Sequence, residues 1–325
     1  MTAPVLEARA LVKEFPVGKD LLGRPRELVH AVNGVSFVVE RGRTLAIVGE
    51  SGCGKPTVGR VLLGLTPPTA GEVVLNGRRV DNIREAERRV VRSQLQVVFQ
   101  DPFSSLDPRM RIGAILAEPL VNFRQARSAA EARAKAEALL RKVSLPVEAL
   151  DRFPHEFSGG QRQRIGIARA LAGRPDIIIC DEAVSALDVS IQAQIVNLLM
   201  DLQEELGLSL LFISHDLSVV EHMAHDVAVM YLGKIVEHAS RSDLFRAPRH
   251  PYTRALLDAA PVPKIVEKPE RKPLSGDVPS PVRLPSGCAF YGRCPKARDI
   301  CRRTEPPLAG EADGHRVACH FPLHQ

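Results

Sequence analysis

One glycine-rich stretch constrains the fold of this chain more than any other: Gly49, Glu50, Ser51, Gly52, Cys53, Gly54, Lys55, Pro56 and Thr57. It follows an apolar run at 44–48, which predicts a buried strand, and leads into a helical pattern from Val58 to Leu65. A strand, a glycine-rich turn and a helix are the context of a phosphate-binding loop, whose backbone N–H groups line an anion site. Lys55 is then expected to reach the β- and γ-phosphates of a nucleotide. The alternative is a glycine turn without a ligand.

Pro56 departs from the usual pattern of such a loop. Ser or Thr normally follows the lysine and binds Mg²⁺ through its hydroxyl, whereas proline has neither a hydroxyl nor an N–H. Proline fits the first turn of a helix, so we still expect the loop to form. Thr57 carries a hydroxyl one position later, about 100° around the helix axis. Mg²⁺ binding is therefore expected to be weakened, which leaves open whether this site hydrolyses its own nucleotide.

Length and composition exclude some classes of protein. A chain of 325 residues, 45% of them hydrophobic, can form a large nucleotide-binding domain and an appendage. No apolar run approaches the roughly 20 residues of a membrane-spanning helix, and the N-terminus shows no signal segment, so we expect a soluble, cytosolic protein. The net charge is +6, but the basic residues are dispersed and only 4% of residues are aromatic, which gives little support to nucleic-acid binding.

The order of periodic segments predicts an α/β fold with a helical insertion. Strands are expected at 5–12, 35–40, 72–75, 95–99, 177–181, 208–213, 226–231 and 235–238, with a Gly/Pro/Arg-rich insertion at about 18–27. Helices are expected at 159–172 and 189–206, and Ser128 and Glu131 form a capping box for another. We predict a nucleotide-binding domain over 1–245, with a helical subdomain at about 101–157, and an irregular extension over 246–325.

Two motifs add candidate chemistry. The apolar strand at 177–181 ends in Asp181 and Glu182, which could hold Mg²⁺ and polarise a water for attack on the γ-phosphate. Alone, they would indicate a solvated acidic turn. Capped glycines also open the next upstream helix, at Ser158, Gly159, Gly160 and Gln161, and helix N-termini favour anions.

The order of all these motifs resembles the ATP-binding-cassette (ABC) family over residues 5–240. The resemblance implies a RecA-like P-loop NTPase with an inserted helical subdomain, using ATP and Mg²⁺. It implies that Gln100 senses Mg²⁺ and links to a membrane partner, and that the segment 158–161 completes the opposite subunit's ATP site. It further implies that Asp188 lies at the dimer interface, that His215 contacts the γ-phosphate as a catalytic residue beside Glu182, and that Phe15 stacks on adenine.

A narrower resemblance involves Val97–Pro108, His250–Leu256 and the terminal cysteines, which look like the dipeptide/oligopeptide permease ATPases of the F type. It implies a D-type ATPase partner, two transmembrane permease subunits, an external peptide-binding protein and a place on the cytoplasmic membrane face. Open alternatives are an importer ATPase for nickel or another small solute, a degenerate regulatory cassette, and a nucleic-acid-related cassette. The box at 250–252 is expected to be a turn before an amphipathic helix.

The cysteines fall into two groups. Cys53 and Cys180 are predicted to be small buried side chains. The other four thiols are close in sequence and could hold a [4Fe–4S] cluster or a tetrahedral Zn²⁺ ion, or could only pack the extension: Cys288, Cys294, Cys301 and Cys319. The tight first pair of a zinc knuckle is absent, and relatives of this type are thought to carry a cluster, so iron–sulfur is favoured.

Overall fold

A computed structural model describes residues 3–19, 25–101, 103, 105–259, 279–310 and 314–323. Its twelve strands are Pro4–Lys19 (β1), Pro25–Glu40 (β2), Thr44–Val48 (β3), Ala70–Leu75 (β4), Arg78–Arg79 (β5), Leu95–Val98 (β6), Ile177–Asp181 (β7), Ser209–Ser214 (β8), Asp226–Tyr231 (β9), Lys234–Ser240 (β10), Ala309–Gly310 (β11) and Arg316–Val317 (β12) within these ranges. The helices there are Lys55–Leu62 (α1), Glu85–Gln94 (α2), Ile112–Asn122 (α3), Ala129–Lys142 (α4), Gly159–Leu171 (α5), Val189–Leu206 (α6), Leu217–Met223 (α7), Arg241–Arg246 (α8), Pro251–Ala259 (α9) and Asp299–Arg303 (α10).

The chain divides into two compact units. The first consists mainly of Val74–Ile213, and the second of Glu7–Val38, Leu45–Val73 and Ser214–Gln325. Each unit is described by itself below.

Three parallel strands form the sheet of the first unit. Strand β7 lies between β6 and β8, with Ile177 opposite Leu95 on one side and Ser209 on the other. The side chains of β7 are buried up to Cys180 because apolar residues occupy both faces of a covered parallel sheet. The carboxyl ends of β6 and β7 therefore meet at one edge, where Asp181 ends β7 and Gln100 lies two residues after β6.

Helices fill the part of the first unit between β6 and β7, as the sequence predicts. Helix α4 begins after Ser128, whose side chain accepts a hydrogen bond from the Glu131 N–H, so the predicted cap is confirmed. The Glu131 carboxylate accepts from the Arg127 N–H at 2.8 Å, one residue before the partner that a capping box requires. Gly113 of α3 lies against Leu150, and a Cβ there would be only 3.0 Å from the Leu150 carbonyl oxygen. A side chain at position 113 would therefore require the backbone at Leu150 to move by a few tenths of an ångström.

The second unit contains a mixed sheet. Strand β3 pairs in parallel with β9, and β9, β10, β12 and β11 follow with antiparallel pairing. Strands β2, β1 and β4 lie side by side in a further sheet. In the first unit, Arg79 of β5 pairs with Val74 at the end of β4. Strands β1 and β2 extend well into the predicted insertion, and residues 20–24 of that insertion lie outside the described residues.

The predicted irregular extension needs one correction. Strand β12 places Val317 opposite Glu237 and Arg316 opposite His238, so the extension continues the sheet of the second unit. A strand of two residues leaves no alternation to detect, and its pairing satisfies backbone groups at the edge of β10. The predicted helix is α9, which begins at Pro251, so two of the three residues predicted as a turn already belong to it. Residues 260–278 lie outside the described part of the chain.

Candidate nucleotide-binding site

The glycine-rich loop follows the fully buried strand β3, as predicted. Gly49 and Gly54 have φ angles of 155° and 107°. A Cβ would lie 2.2 Å from the Met230 carbonyl oxygen at Gly49, and 2.1 Å from the Ala31 carbonyl oxygen at Gly54. Only glycine can therefore occupy these two positions, because both the φ angle and the neighbouring backbone exclude a side chain.

Lys55 is held by the loop itself. Its side chain is 1% exposed, and its Nζ lies 2.7 Å from the carbonyl oxygen of Gly49 and 3.0 Å from that of Glu50. Burial raises the pKa of the adjacent Cys53 thiol, with Lys55 opposing that shift. The ammonium group thus lies inside the concave side of the loop, where it can meet a phosphate.

Pro56 is accommodated in the first turn of α1. The helix begins at Lys55 after Gly54, and the Val58 N–H bonds to the Gly54 carbonyl at 3.1 Å. N–H groups of a first turn have no acceptor within the helix, so the missing N–H removes no helical bond. Pro56 is exposed and Thr57 is part-buried.

Two residues that sequence reasoning missed hold Glu50 of this loop. The Arg293 guanidinium donates two hydrogen bonds to the Glu50 carboxylate, Nη1 to Oε2 at 2.7 Å and Nη2 to Oε1 at 3.0 Å. The Glu50 N–H donates to the Tyr252 hydroxyl oxygen at 2.8 Å. The segment 250–252 was predicted only as a turn. It has a further role, because Tyr252 contacts the phosphate loop.

An aromatic cluster supports both contacts. Tyr252 packs on Tyr231 and on Phe290, with ring centroids 4.6 Å and 5.4 Å away, and His250 lies 5.8 Å from Phe290. Burial raises the pKa of the Tyr252 hydroxyl, so this group stays a neutral hydrogen-bonding partner. Such clusters of rings are rigid, which fixes the direction of the hydroxyl.

A buried carboxylate organises the start of the extension. Glu237 is fully buried and accepts hydrogen bonds from the Arg249 and His250 N–H groups, and it lies 2.6 Å from His315 Nε2. Burial raises the pKa of Glu237, but the hydrogen bonds outweigh it and leave that pKa below its ordinary value. The carboxylate is therefore charged and anchors the box at 250–252.

A part-buried histidine next to Glu237 in sequence makes the stability of this region depend on pH. Burial lowers the pKa of His238 from 6.5 to about 4, the charges of Arg316 and His315 also lower it, and Asp226 opposes them. Folding thus favours the neutral imidazole, so the contribution to stability is present above pH 6.5 and is lost as the pH falls towards 4.

We expect His238→Gln to reduce this loss of stability. The wild-type chain should lose up to about 3 kcal/mol more than the variant between the two pH limits. Calorimetric unfolding of both proteins across that range measures the difference, with exposed His222→Gln as the control. Equal pH profiles for wild type and His238→Gln would contradict the assignment.

The four terminal cysteines share one small cavity. Cys288, Cys294, Cys301 and Cys319 all line it, and the Cys288 N–H bonds to the Cys301 carbonyl oxygen at 2.8 Å. Burial, with a smaller effect of the neighbouring thiols, raises the pKa of Cys288 to about 11. As the side chains stand, no group of three or more His, Cys, Asp or Glu residues in the described ranges is arranged as a metal site. The four cysteines thus lie around one cavity, and a cluster or a metal ion there stays a prediction.

The predicted carboxylates lie at the end of β7 in the first unit. Glu182 has a φ of 49°, and its N–H bonds to the Ile213 carbonyl oxygen at 2.9 Å. Ser185 Oγ donates to the Glu182 carbonyl oxygen at 2.9 Å. A left-handed conformation is unfavourable for a residue with a side chain, and such strain concentrates at functional sites.

The predicted capped glycine segment opens α5 in the same unit. Ser158 Oγ accepts from the Gln161 N–H at 3.3 Å, and Gln161 Oε1 accepts from the Ser158 N–H at 3.0 Å. Both side chains are exposed. A Cβ at Gly160 would lie 2.5 Å from Ile191 Cγ2, so a side chain here would require the Ile191 side chain to shift.

The remaining predicted site residues are distributed between the units. Gln100 and Asp188 are exposed in the first unit, after β6 and before α6. In the second unit, His215 is exposed after β8, and Phe15 of β1 is 37% exposed with Lys13 Nζ 5.0 Å from its ring centroid. Each unit thus contains some of the residues that are predicted to bind or hydrolyse the nucleotide.

Two family models match this chain. The ABC transporter model matches residues 32–185, and the model of the oligopeptide/dipeptide transporter C-terminal region matches residues 236–301. The dimeric ATP-binding cassette MJ0796, solved in a post-hydrolysis state with ADP and Pi, superposes with a TM-score of 0.65 at 28% identity over 73% of this chain and 98% of that one.

Curated relatives match over almost the whole length. A probable peptide ABC transporter ATP-binding protein of Sinorhizobium fredii is 53% identical, over 98% of this chain and 90% of its own. The dipeptide transport ATP-binding protein DppF of Escherichia coli is 50% identical, over 97% of this chain and 94% of its own. The oligopeptide transport ATP-binding protein AppF of Bacillus subtilis is 50% identical, over 98% of this chain and 97% of its own.

This chain therefore belongs to the ABC transporter family, among the ATP-binding proteins with the oligopeptide/dipeptide transporter C-terminal region. It is an ABC ATPase, a class in which ATP hydrolysis is coupled to transport through membrane permeases, and the predicted α/β P-loop fold is confirmed. Among the residues that the structure describes, no helix is both long and apolar enough to cross a membrane.

Proposed function

We propose that this chain is the ATP-binding and ATP-hydrolysing subunit of an importer for dipeptides and oligopeptides. The observation that carries the proposal is the union, in one chain, of the phosphate loop with the C-terminal region of peptide transporters. Relatives that share half of its residues are named for dipeptide and oligopeptide transport. The ATP-binding domain extends to about residue 245, and residues 246–325 form the extension.

The phosphate loop binds the nucleotide in this proposal. Backbone N–H groups of Ser51, Gly52 and Gly54 face the phosphates, while those of Glu50 and Cys53 are bonded within the protein. Lys55 contacts the β- and γ-phosphates. Its buried Nζ, held by two loop carbonyls, supports that role. The usual Mg²⁺ ligand after Lys55 is absent, and the Thr57 hydroxyl lies one position further around the helix, so the metal is held more weakly than in a loop with Ser or Thr at position 56. Phe15 stacks on adenine.

The carboxylates of the first unit supply the chemistry. Bound Mg²⁺ would neutralise charge on the phosphates. Asp181 and Gln100 would hold the ion, either directly or through a water molecule. Their positions at the neighbouring carboxyl ends of β6 and β7 support this assignment. Glu182 polarises the attacking water, and His215 contacts the γ-phosphate.

Two such subunits sandwich two ATP molecules. The capped segment 158–161 of one subunit completes the site of the other, with Asp188 at the interface. Its exposed side chains and preformed capping box support that role. The second subunit is a D-type ATPase, and the pair works on the cytoplasmic membrane face with two permease subunits and, indirectly, an external peptide-binding protein.

The four cysteines bind a [4Fe–4S] cluster, with Zn²⁺ as the alternative. Four thiols that line one cavity form a donor set that suits either group. Iron, sulfide and zinc analysis of anaerobically purified protein separates the cluster, the zinc ion and four unliganded thiols. A match of iron and sulfide to the cluster, lost in Cys294→Ser, is the expected result.

The substrate class is tested in the native host. We expect deletion of the gene to abolish uptake of labelled di- and oligopeptides, and the wild-type gene to restore it. Nickel uptake measured in the same cells tests the alternative of a small-solute importer. Normal peptide uptake with lost nickel uptake in the deletion strain would contradict peptide import. A gene that encodes Lys55→Ala is the control, and it should fail to restore uptake if the loss depends on ATP binding by this chain.

Pro56 supports a second candidate function. A subunit whose loop lacks the usual Mg²⁺ ligand could hold nucleotide as a regulatory brace while the partner site turns over. The exposed, helix-compatible position of Pro56 keeps the loop folded under either function.

A further inference from the structure

The C-terminal extension reaches the phosphate loop through one charged pair. Arg293 lies 243 positions after Glu50 in sequence, and its side chain is 7% exposed, against 24% for Glu50. Two parallel N–H to oxygen bonds join the planar groups at 2.7 Å and 3.0 Å. Bidentate arginine–carboxylate pairs fix direction as well as distance, and partial burial protects them from solvent.

The pair acts on a residue whose backbone belongs to the loop. Glu50 offers its carbonyl oxygen to Lys55 Nζ at 3.0 Å and its N–H to the Tyr252 hydroxyl at 2.8 Å. Its side chain, N–H and carbonyl are therefore all engaged. Rotation of Glu50 would move the carbonyl that holds the phosphate-contacting ammonium group.

The position of Arg293 is set by the segment between two cysteines. A short turn runs from Cys288 to Cys294, with the Tyr291 N–H bonded to the Cys288 carbonyl and the Arg293 N–H to the Phe290 carbonyl, each at 3.0 Å. Phe290 packs edge-on against Tyr231, with centroids 5.4 Å apart. The extension thus presents Arg293 on a turn fixed at both ends.

We propose that Arg293 and Tyr252 are positioning residues of the nucleotide site, which set the phosphate loop for ATP by holding the side chain and N–H of Glu50. The extension is thereby part of the nucleotide site. This inference rests on the proposed nucleotide-binding role of the loop, and it concerns affinity for phosphates, whatever solute the importer carries.

A double-mutant cycle on the full-length chain tests the proposal by equilibrium titration with a fluorescent ATP analogue. We expect Arg293→Gln and Glu50→Gln each to weaken binding about tenfold, as for loss of a charged hydrogen bond. The double variant should be no weaker than either single variant, because both remove one interaction. Arg293→Lys, which keeps the charge but not the fork, should bind with intermediate affinity.

Matched control variants separate the effect of losing these contacts to Glu50 from a general loss of folded protein. Arg302→Gln changes an exposed arginine of the same extension, and Tyr252→Phe is compared with Tyr291→Phe. Unchanged affinity in Arg293→Gln, or additive losses in the double variant, would overturn the proposal. If Arg293→Gln fails to fold, Tyr252→Phe, which deletes one oxygen, still tests the proposal. We expect this variant to bind ATP more weakly, and unchanged binding would overturn the role of the hydroxyl. A wild-type chain that binds no ATP would instead refute the proposed function.

Discussion

Glu182→Gln lowers ATP hydrolysis by about 10²- to 10⁴-fold while ATP binding is retained, because the amide cannot accept a proton from the attacking water. Gln has nearly the same size and shape as Glu. The backbone bond from the residue 182 N–H to the Ile213 carbonyl is independent of the side chain. Phosphate release by the assembled transporter gives the rate, and a fluorescent ATP titration gives the affinity.

Glu204→Gln is the matched control for this substitution. Glu204 is an exposed carboxylate on α6, in the same unit as Glu182. It should leave both the rate and the affinity unchanged. A Glu182→Gln chain that hydrolyses ATP at the wild-type rate would contradict the assignment of Glu182 and would indicate another base.

Pro56→Ser tightens the Mg²⁺-dependent part of ATP binding by about 10- to 100-fold, the size of effect seen when partners of a metal site are changed. The serine hydroxyl restores the usual ligand after Lys55, and the first helical turn accepts serine without strain. The measurement is a titration of wild type and variant with ATP, each in Mg²⁺ and in EDTA.

The EDTA titration provides the internal control. Without metal, the two proteins should bind ATP equally, because loop glycines and Lys55 are unchanged. Pro56→Ala gives the second control, since it restores the N–H without a hydroxyl. Equal responses to Mg²⁺ in wild type and Pro56→Ser would show that Thr57 or water already fills the gap, and the weakened-site interpretation would be wrong.

Local patterns predicted much of the secondary structure. The strand at 177–181 and the helix at 189–206 agree with β7 and α6 because a continuous apolar run and a glycine stop give unambiguous signals. The loop and the helix caps at Ser128 and Ser158 were also predicted, since their geometry depends on neighbours in sequence.

Contacts between distant parts of the chain were not predictable. The Arg293–Glu50 pair joins residues on opposite ends of the sequence, and neither residue stands in a periodic pattern that indicates a partner. Tyr252 was predicted to be a turn residue. Its hydroxyl bonds to a backbone N–H, and a backbone partner cannot be recognised from the sequence. Strand β12 was missed because two residues form no pattern.

The most direct test of an ATP-driven peptide importer is dipeptide uptake by lipid vesicles. The vesicles contain the transporter complex that is purified with an affinity tag on this chain. We expect peptide to accumulate only when Mg²⁺ and ATP are present on the side of the ATPase subunits, and Lys55→Ala in this chain to abolish accumulation. Uptake that continues without ATP, or that is unaffected by Lys55→Ala, would contradict the claim that this phosphate loop drives import.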